Sequence, residues 1–420
     1  MANDPTRTTT RDIRRQNRSA LLSKLFFDGP LSRLELSRLT GLSSATVSTV
    51  TAELIDDRLV VEAGQVESNG GRPRVLLRVD PEYGYVIGVD VGETGVSVEL
   101  FDLGMQRHGA TVRPLKSPRP SPESVVAEVV AGIDAVLDGT DLEVSGLAAG
   151  EDQPRAAIDP NRVLGIGIGV PGIVEQGESV LVHAPTIGWH AVPLVDMLAA
   201  HGVTAPLFVG NGAKTQAQAE MWFGAARGAK HVVVALVGSG VGAAVITDGV
   251  PYQGASSSAG EWGHTMLVYG GRSCRCGDAG CLEAYVGAES MLDRYAEAGG
   301  PGASEDESVD LDALIGAALS GAPTSVERTV VMETVGFLGA GIGNLVNMFN
   351  PERVVLGGWA GLALGGVLLD EIREASARHA LAHPYGQVSI ELSQLGPDAV
   401  ALGAATLPLA EFFARGEDPR

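Results

Sequence analysis

Cys274, Cys276 and Cys281, the three cysteines of a 420-residue chain, fall within eight consecutive positions, beginning ten residues after His264. Three thiolates and an imidazole make a complete tetrahedral donor set for Zn2+, and a site filled entirely by protein ligands is structural rather than catalytic. Gly277 and Gly280 let the chain double back so that Cys276 and Cys281 face one ion. An odd number of thiols with no sign of export argues against a disulfide framework. Two carboxylates flank the loop, Glu261 three residues before His264 and Glu283 two residues after Cys281. A metal that takes one ring nitrogen of His264 leaves the other to hydrogen-bond a ligand. Residues 261–283 can therefore present an oriented imidazole and two carboxylates to several hydroxyl groups. Spacing alone is equally compatible with two solvated glutamates.

The segments that must position this loop are long enough for two or three domains. The N-terminus, Met-Ala-Asn-Asp-Pro, has no apolar signal region, and no apolar run is expected to span a bilayer. The expectation is a soluble, cytoplasmic protein with no membrane partner. Net charge is −21, which argues against nucleic acid until its placement is considered. Residues 1–78 hold 12 Lys+Arg against 9 Asp+Glu, whereas the remainder holds 18 against 42. A basic front end on an acidic body is the asymmetry of a nucleic-acid-binding head.

The head reads as three helices and a hairpin. Arg11, Arg14, Arg15 and Arg18 precede an apolar stripe of Leu21, Leu22, Leu25 and Phe26, stopped by Asp28-Gly29-Pro30. Ser32-Arg-Leu-Glu35 is a capping box opening a short helix, with Leu34, Leu36 and Leu39 available to face inward. Thr40-Gly41-Leu42 turns the chain, and Ser43 caps a third helix carrying Val47, Val50, Leu54 and Ile55 inward. Helix, glycine turn, helix is the helix-turn-helix order, whose second helix enters the major groove. Leu59–Glu62 and Arg74–Arg78 then read as the strands of a wing, joined through Gly70-Gly71-Arg72-Pro73-Arg74. Arg72 suits a narrow minor groove, and Arg74 is a further candidate DNA contact. The exposed start of the third helix offers Ser43, Ser44, Thr46 and Thr49 but no Arg, Lys, Asn or Gln for bidentate base contacts. Affinity for operator DNA is therefore expected to rest mainly on Arg14, Arg15, Arg18 and Arg72, with a steep salt dependence.

In the body, Tyr85–Gly92 and Gly95–Phe101 read as a hairpin, Ser124–Leu137 as an amphipathic helix and Val163–Val170 as a buried strand. Residues 139–161 read as a surface insertion. Val232–Ile246 is a second hairpin around Gly238-Ser-Gly240-Val-Gly242, Val330–Phe349 an apolar helix running into strand 353–358, and Pro397–Phe413 a final helix.

The pattern Glu261-Trp-Gly-His264 followed by Cys274-Arg-Cys276-Gly-Asp-Ala-Gly-Cys281-Leu-Glu283 resembles the signature of the ROK family, which contains sugar kinases, sugar-responsive repressors and uncharacterised reading frames. The resemblance covers residues from about 85 to 409, and the N-terminal segment with its Gly71-Arg-Pro resembles the winged helix-turn-helix of ROK regulators. It implies an α/β fold. An N-terminal winged helix-turn-helix (1–80) precedes a two-lobed actin/hexokinase-like (ribonuclease H-like) body. The first lobe is 81–210, with a final helix 396–415 packed back on it, and the second lobe is 211–395. It also implies that His264 both holds Zn2+ and touches a sugar, and that Gly172, Asn211, Glu261 and Glu283 line the sugar site. Partners would be double-stranded operator DNA, a sugar or sugar derivative, and further copies in a homodimer or homotetramer.

Against the family's first phosphate loop, Asp-x-Gly-Gly-Thr, Asp90, Gly92 and Thr94 match, but Glu93 brings bulk and negative charge where a glycine belongs. Thr186 replaces an asparagine common in the sugar-side loop. Gly212 stands where the resemblance places the catalytic aspartate, and a positioned base contributes about 10²–10⁴-fold to such a reaction. The resemblance implies a regulator, a repressor, with no catalytic residue; the alternative is a sugar kinase with an appended DNA-binding head.

Overall fold

Ser32 and Ser43 set the geometry of the front end. In the computed structural model, which describes residues 9–68, 71–117, 119–140, 156–304 and 306–416, each accepts a backbone N–H of the helix it starts. The head comprises α1 (Thr10–Asp28), β1 (Leu31–Ser32), α2 (Arg33–Thr40), α3 (Ser44–Asp56), β2 (Val60–Ser68) and β3 (Gly71–Val79). Gly41, at φ 72°, makes the left-handed turn between α2 and α3 that a side chain would resist. The wing strands are longer than the sequence suggests, and β1 joins them in a sheet of order β1-β3-β2. Leu36 is buried, whereas Leu34 is 42% and Leu39 50% exposed. At 100° per residue, positions 34 and 36 lie on opposite sides of the helix, so one face cannot bury both.

The first lobe contains β4 (Tyr85–Val91), β5 (Gly95–Asp102), β6 (Arg107–Pro114), α4 (Pro122–Asp138), β7 (Val163–Val170), β8 (Ile173–Glu175), β9 (Leu181–Ala184), β10 (Trp189–Val192), α5 (Leu194–Ala200) and β11 (Leu207–Asn211), after which α6 (Gly212–Phe223) leads into the second lobe. The main sheet has the order β11-β7-β4-β5-β6: an antiparallel hairpin extended by parallel strands. The proposed insertion at 139–161 falls largely on 141–155, which lie outside the described residues.

The second lobe repeats the plan with β12 (Val232–Val237), β13 (Val241–Thr247), β14 (Val250–Pro251), α7 (Glu283–Val286), α8 (Ala288–Glu297), α9 (Glu307–Ser320), α10 (Val326–Phe349), β15 (Arg353–Gly357), α11 (Trp359–His379), α12 (Ala382–Tyr385) and β16 (Ser389–Leu392). Its order, β14-β13-β12-β15-β16, again extends a hairpin by parallel strands. Contrary to expectation, α10 is long and apolar enough to cross a bilayer by length and composition. It serves instead as a core helix, burying Val331, Leu338, Ile342 and Val346 in the second lobe.

A final helix, α13 (Ala399–Arg415), crosses the first lobe's sheet. Gly88 of β4 and the alternating glycines of β7 explain how closely. A Cβ on Gly88 would stand 2.0 Å from the Ala401 carbonyl oxygen, and one on Gly167 would stand 1.7 Å from that of Ala404. Period-two glycines on one sheet face thus cut a flat groove for a helix. Beyond the sheet, Leu409, Phe412 and Phe413 of α13 enter the core of the head beside Leu21, Leu22 and Leu25.

Candidate functional site

The β4–β5 and β12–β13 turns face one another across a cleft of about 610 Å3 between the lobes. Asp90, Gly92, Glu93 and Thr94 line it from one side, Ser239, Gly240 and Glu261 from the other. Gly172, Thr186, Asn211, Gly212, His264, Cys276 and Glu283 complete the same wall. Asp90 and Glu283, 193 positions apart in the chain, therefore meet at one cavity because two copies of one hairpin plan are stacked face to face.

The metal donors converge as their spacing suggests. One ligand atom from each of His264, Cys274, Cys276 and Cys281 lies within 4.8 Å of all the others. His264 Nδ1 is 3.7 Å from Cys274 Sγ, and the sulfurs of Cys276 and Cys281 are 3.8 Å apart. Metal–ligand bonds of roughly 2.1–2.3 Å in a tetrahedron require ligand separations of about 3.5–3.8 Å, so the donor set fits a four-coordinate ion. Gly277 (φ 98°) and Gly280 (φ 83°) supply the reversals. A Cβ on Gly280 would collide with the Val268 carbonyl at 1.8 Å. Burial pushes the Cys274 and Cys281 thiols up, so a bound cation must displace their protons.

The polar side chains read as sugar-facing are anchored. Glu283 is buried and accepts Val241 N–H at 2.9 Å. Asn211 caps α6 by accepting Lys214 N–H at 3.2 Å and donates its Nδ2 to the Gly172 carbonyl at 2.6 Å. Glu261 has its pKa raised by burial, opposed by His264 and Lys214 and reinforced by Glu283. Lys214 Nζ itself donates to Gln253 Oε1 at 3.0 Å and to the Ser257 carbonyl at 2.5 Å. These are groups able to hydrogen-bond hydroxyls, with Asn211 and Glu283 held in place by backbone contacts.

The other half of the cleft differs from a phosphoryl-transfer site. Gly212 opens α6 with space beside it: a Cβ there would meet only Val170 O and Val400 Cγ1, both at 3.7 Å. Packing therefore does not exclude a side chain at the position of the missing base. Asp90 is half-buried at the cleft wall, and loss of hydration there, then the nearby Asp398 carboxylate, raises its pKa to about 7. Sequence reasoning missed Arg275, between two metal ligands. Its guanidinium holds Glu93 at 2.5 and 3.2 Å, Glu289 at 3.1 Å and Glu283 at 3.5 Å. Nothing local signals a pair separated by 182 residues.

On the head, Ser43, Ser44 and Thr49 are exposed along the start of α3, while the Thr46 hydroxyl lies 2.9 Å from that of Ser43. Arg14 is exposed and ion-paired to Glu53 at 3.0 Å, Arg15 sits 3.8 Å from Asp12, and Arg74 is exposed on β3. Arg72 lies on β3, with its side chain outside the described residues. Arg18 corrects the expectation of a DNA contact. Its side chain is 7% exposed, pairs with Asp57 at 2.7 Å and Glu53 at 3.6 Å, and donates Nε to the Gly416 carbonyl. The C-terminal end of α13 covers it, so it fastens head to body. Beside it Phe26 packs on Phe413 (4.9 Å between ring centres), Phe27 on Trp222 (4.9 Å), and Arg227 donates to the Phe27 carbonyl at 3.1 Å.

Comparison with known proteins agrees with this division. The ROK family description matches residues 153–411. A xylose repressor from Caldicellulosiruptor bescii is 30% identical over 96% of this chain and 97% of its own. A solved ROK family transcriptional regulator, a homologue of the Escherichia coli MLC protein, shares the fold with a TM-score of 0.74 at 23% identity, covering 96% of this chain and 97% of its own. A ROK glucokinase from Streptomyces griseus, solved with glucose and AMPPNP, is 26% identical with a TM-score of 0.62, covering 77% of this chain and 99% of its own. That kinase leaves about a quarter of the chain unmatched, whereas the repressor accounts for nearly all of it, and on this footing the chain belongs to the ROK family.

Proposed function

We propose that this chain is a transcriptional repressor whose hold on operator DNA is modulated by a sugar bound in the interlobe cleft, and that it has no kinase activity. One observation carries the reading: two helices, α6 and α13, both begin in the cleft wall and end in the head. Asn211, Gly212 and Ala213 start α6 at the cavity, and its Trp222 packs on Phe26 and Phe27 of α1. Pro397 and Val400 line the cavity at the start of α13, whose Phe412 and Phe413 lie in the head core. The helices touch along their length, with Gln218 Nε2 donating to Thr406 Oγ1 at 2.8 Å. A ligand that changes the lobe angle moves both rods, and therefore the head, by the same rigid displacement.

In this reading residues 1–80 are the DNA-binding head, 81–210 with 396–415 the first lobe and 211–395 the second. Gly172, Asn211, Glu261, His264 and Glu283 hold sugar hydroxyls. His264, Cys274, Cys276 and Cys281 hold Zn2+, which supplies a rigid cross-link for the loop and no chemistry. Ser43, Ser44, Thr46 and Thr49 face the major groove, with Arg14, Arg15, Arg72 and Arg74 on phosphates or the minor groove. The operator-bound form is a homodimer or homotetramer, matching a symmetric site. A repressive role is supported by the full-length likeness to a xylose repressor.

The test is a pair of titrations, operator fragment in the presence and absence of sugar and sugar in the presence and absence of operator. Both must change by the same factor, typically 5–150-fold in about 1–3 kcal/mol couplings. Trp222→Ala is expected to keep operator binding but reduce that factor to below about twofold. Independent titrations in the wild-type protein would refute the reading.

A further inference from the structure

The turn between β12 and β13 is shaped like a phosphate loop, but protein groups already occupy it. An atom at the Cβ position of Gly240 would lie 3.2 Å from Glu283 Oε2 and 3.3 Å from both Arg275 Nη2 and Glu93 Oε1. A Cβ on Gly238 would lie 3.1 Å from Trp359 Nε1. Three of the turn's donors are in use too: Gly238 N–H donates to the Gly240 carbonyl at 2.9 Å, Val241 N–H to Glu283 at 2.9 Å, and Ser239 Oγ to Glu307 at 2.6 Å. A glycine turn binds an anion through its free N–H groups and the room above them. Here the room is filled by side chains, and the N–H groups of Gly238 and Val241 are already bonded.

Charge points the same way. The charged side chains lining the cleft among the described residues are the carboxylates Asp90, Glu93, Glu261 and Glu283, with no Lys or Arg. Arg275, behind the wall, is matched by Glu93, Glu283 and Glu289 and accepted by the Ser239 carbonyl at 3.2 Å. A phosphate entering this space would meet carboxylates first, and the nearest cations are engaged, Arg275 by three carboxylates and Lys214 by Gln253 and the Ser257 carbonyl. Polyol hydroxyls, by contrast, donate readily to carboxylates.

We infer that the cleft takes a neutral, unphosphorylated sugar and no nucleotide, and that the Arg275–Glu93 pair joins the two lobes where the phosphates of a nucleotide would otherwise bridge them. The inference rests on the sugar-responsive reading above and narrows its ligand. Glu93 belongs to the first lobe's turn and Arg275 to the second lobe's metal loop, so the pair forms only when the lobes are closed. It is a positioning pair, acting through lobe closure. The glutamate that obstructs phosphate chemistry is thus the partner that closes the cleft.

Calorimetry on the full-length protein decides the ligand class, using D-xylose, D-glucose and N-acetylglucosamine, the phosphate ester of each, and Mg–AMPPNP. At least one neutral sugar is expected to bind, its phosphate ester at least about thirtyfold more weakly, and AMPPNP not at all at millimolar concentration. Glu93→Gln is expected to weaken the neutral sugar about three- to tenfold with metal content unchanged. Arg275→Lys, which keeps the charge but loses the fork that reaches Glu93 and Ser239 together, should act in the same direction. A phosphate ester or AMPPNP binding within about tenfold of the neutral sugar would overturn the ligand class, and unchanged sugar affinity in both variants would overturn the clamp. Either result leaves the sensor reading standing. If nothing in the panel binds, the sensor reading itself fails and this inference fails with it. Should a variant not fold, the wild-type panel still decides the ligand class.

Discussion

The two halves of the cleft share one cavity and have kept different things. On the metal-loop side, Glu261, His264 and Glu283 stand together, each fixed by a backbone contact, a buried neighbour or the His/Cys donor set. On the phosphate side, Glu93 and Gly212 stand where the resemblance leads one to expect a glycine and a carboxylate, and Arg275 and Trp359 crowd the second glycine turn. The difference follows from what each task needs. Holding hydroxyl groups needs side chains anchored in place, and a cross-linked loop supplies them independently of the opposite lobe. Phosphoryl transfer needs free amides, empty space between two turns and a base at one atom, all at once. Loss of any one ends the chemistry while leaving recognition intact.

That contrast can be broken from either side. The largest effect is expected from Cys281→Ser, which removes one of four donors. Bound metal should fall from about one per chain to near zero by elemental analysis, with sugar binding lost alongside it. Retained sugar affinity without metal would show that the loop does not need its cross-link. A smaller effect belongs to Asp90→Asn. Burial holds the folded Asp90 carboxyl near pH 7, against an ordinary value of 3.8. The folded state therefore keeps a proton that the unfolded chain releases, and wild-type stability falls as pH rises from about 4 to 7. Asparagine removes that loss. Its melting temperature should exceed wild type by about 2 °C at pH 8, with the gap closing as pH falls towards 4. The smallest expected effect is none: Gly212→Asp has room for its side chain, yet should show no sugar-dependent ATP consumption, because the glycine turns remain closed to phosphate. Measurable turnover in that variant would mean that the missing base was the only defect.

Local pattern carried much of this. The capping residues Ser32 and Ser43, the glycine turn at 41 and the alternating apolar strands each act over a few residues, so their elements are readable from the chain. The metal donors are readable for the same reason, with three of four inside one loop. Arg18 was not. As one of four arginines at helical spacing it looks like the others, and only the arrival of Gly416, 398 residues later, buries it. Leu34 and Leu39 stay exposed, since apolar type does not say which face of a short helix meets a neighbour.

The sequence by itself determined that this protein has a basic front end with capped helices, a doubled hairpin plan, a Cys3His loop and no aspartate at position 212, since each depends on residue type and short-range geometry. Only the tertiary structure decided that Glu93 and Arg275 meet, that Arg18 fastens the C-terminus, and that α6 and α13 run from the cleft to the head. Those facts depend on which distant surfaces the packed lobes bring within a few ångströms, and contact at that range is set by the whole core rather than by any stretch of the chain.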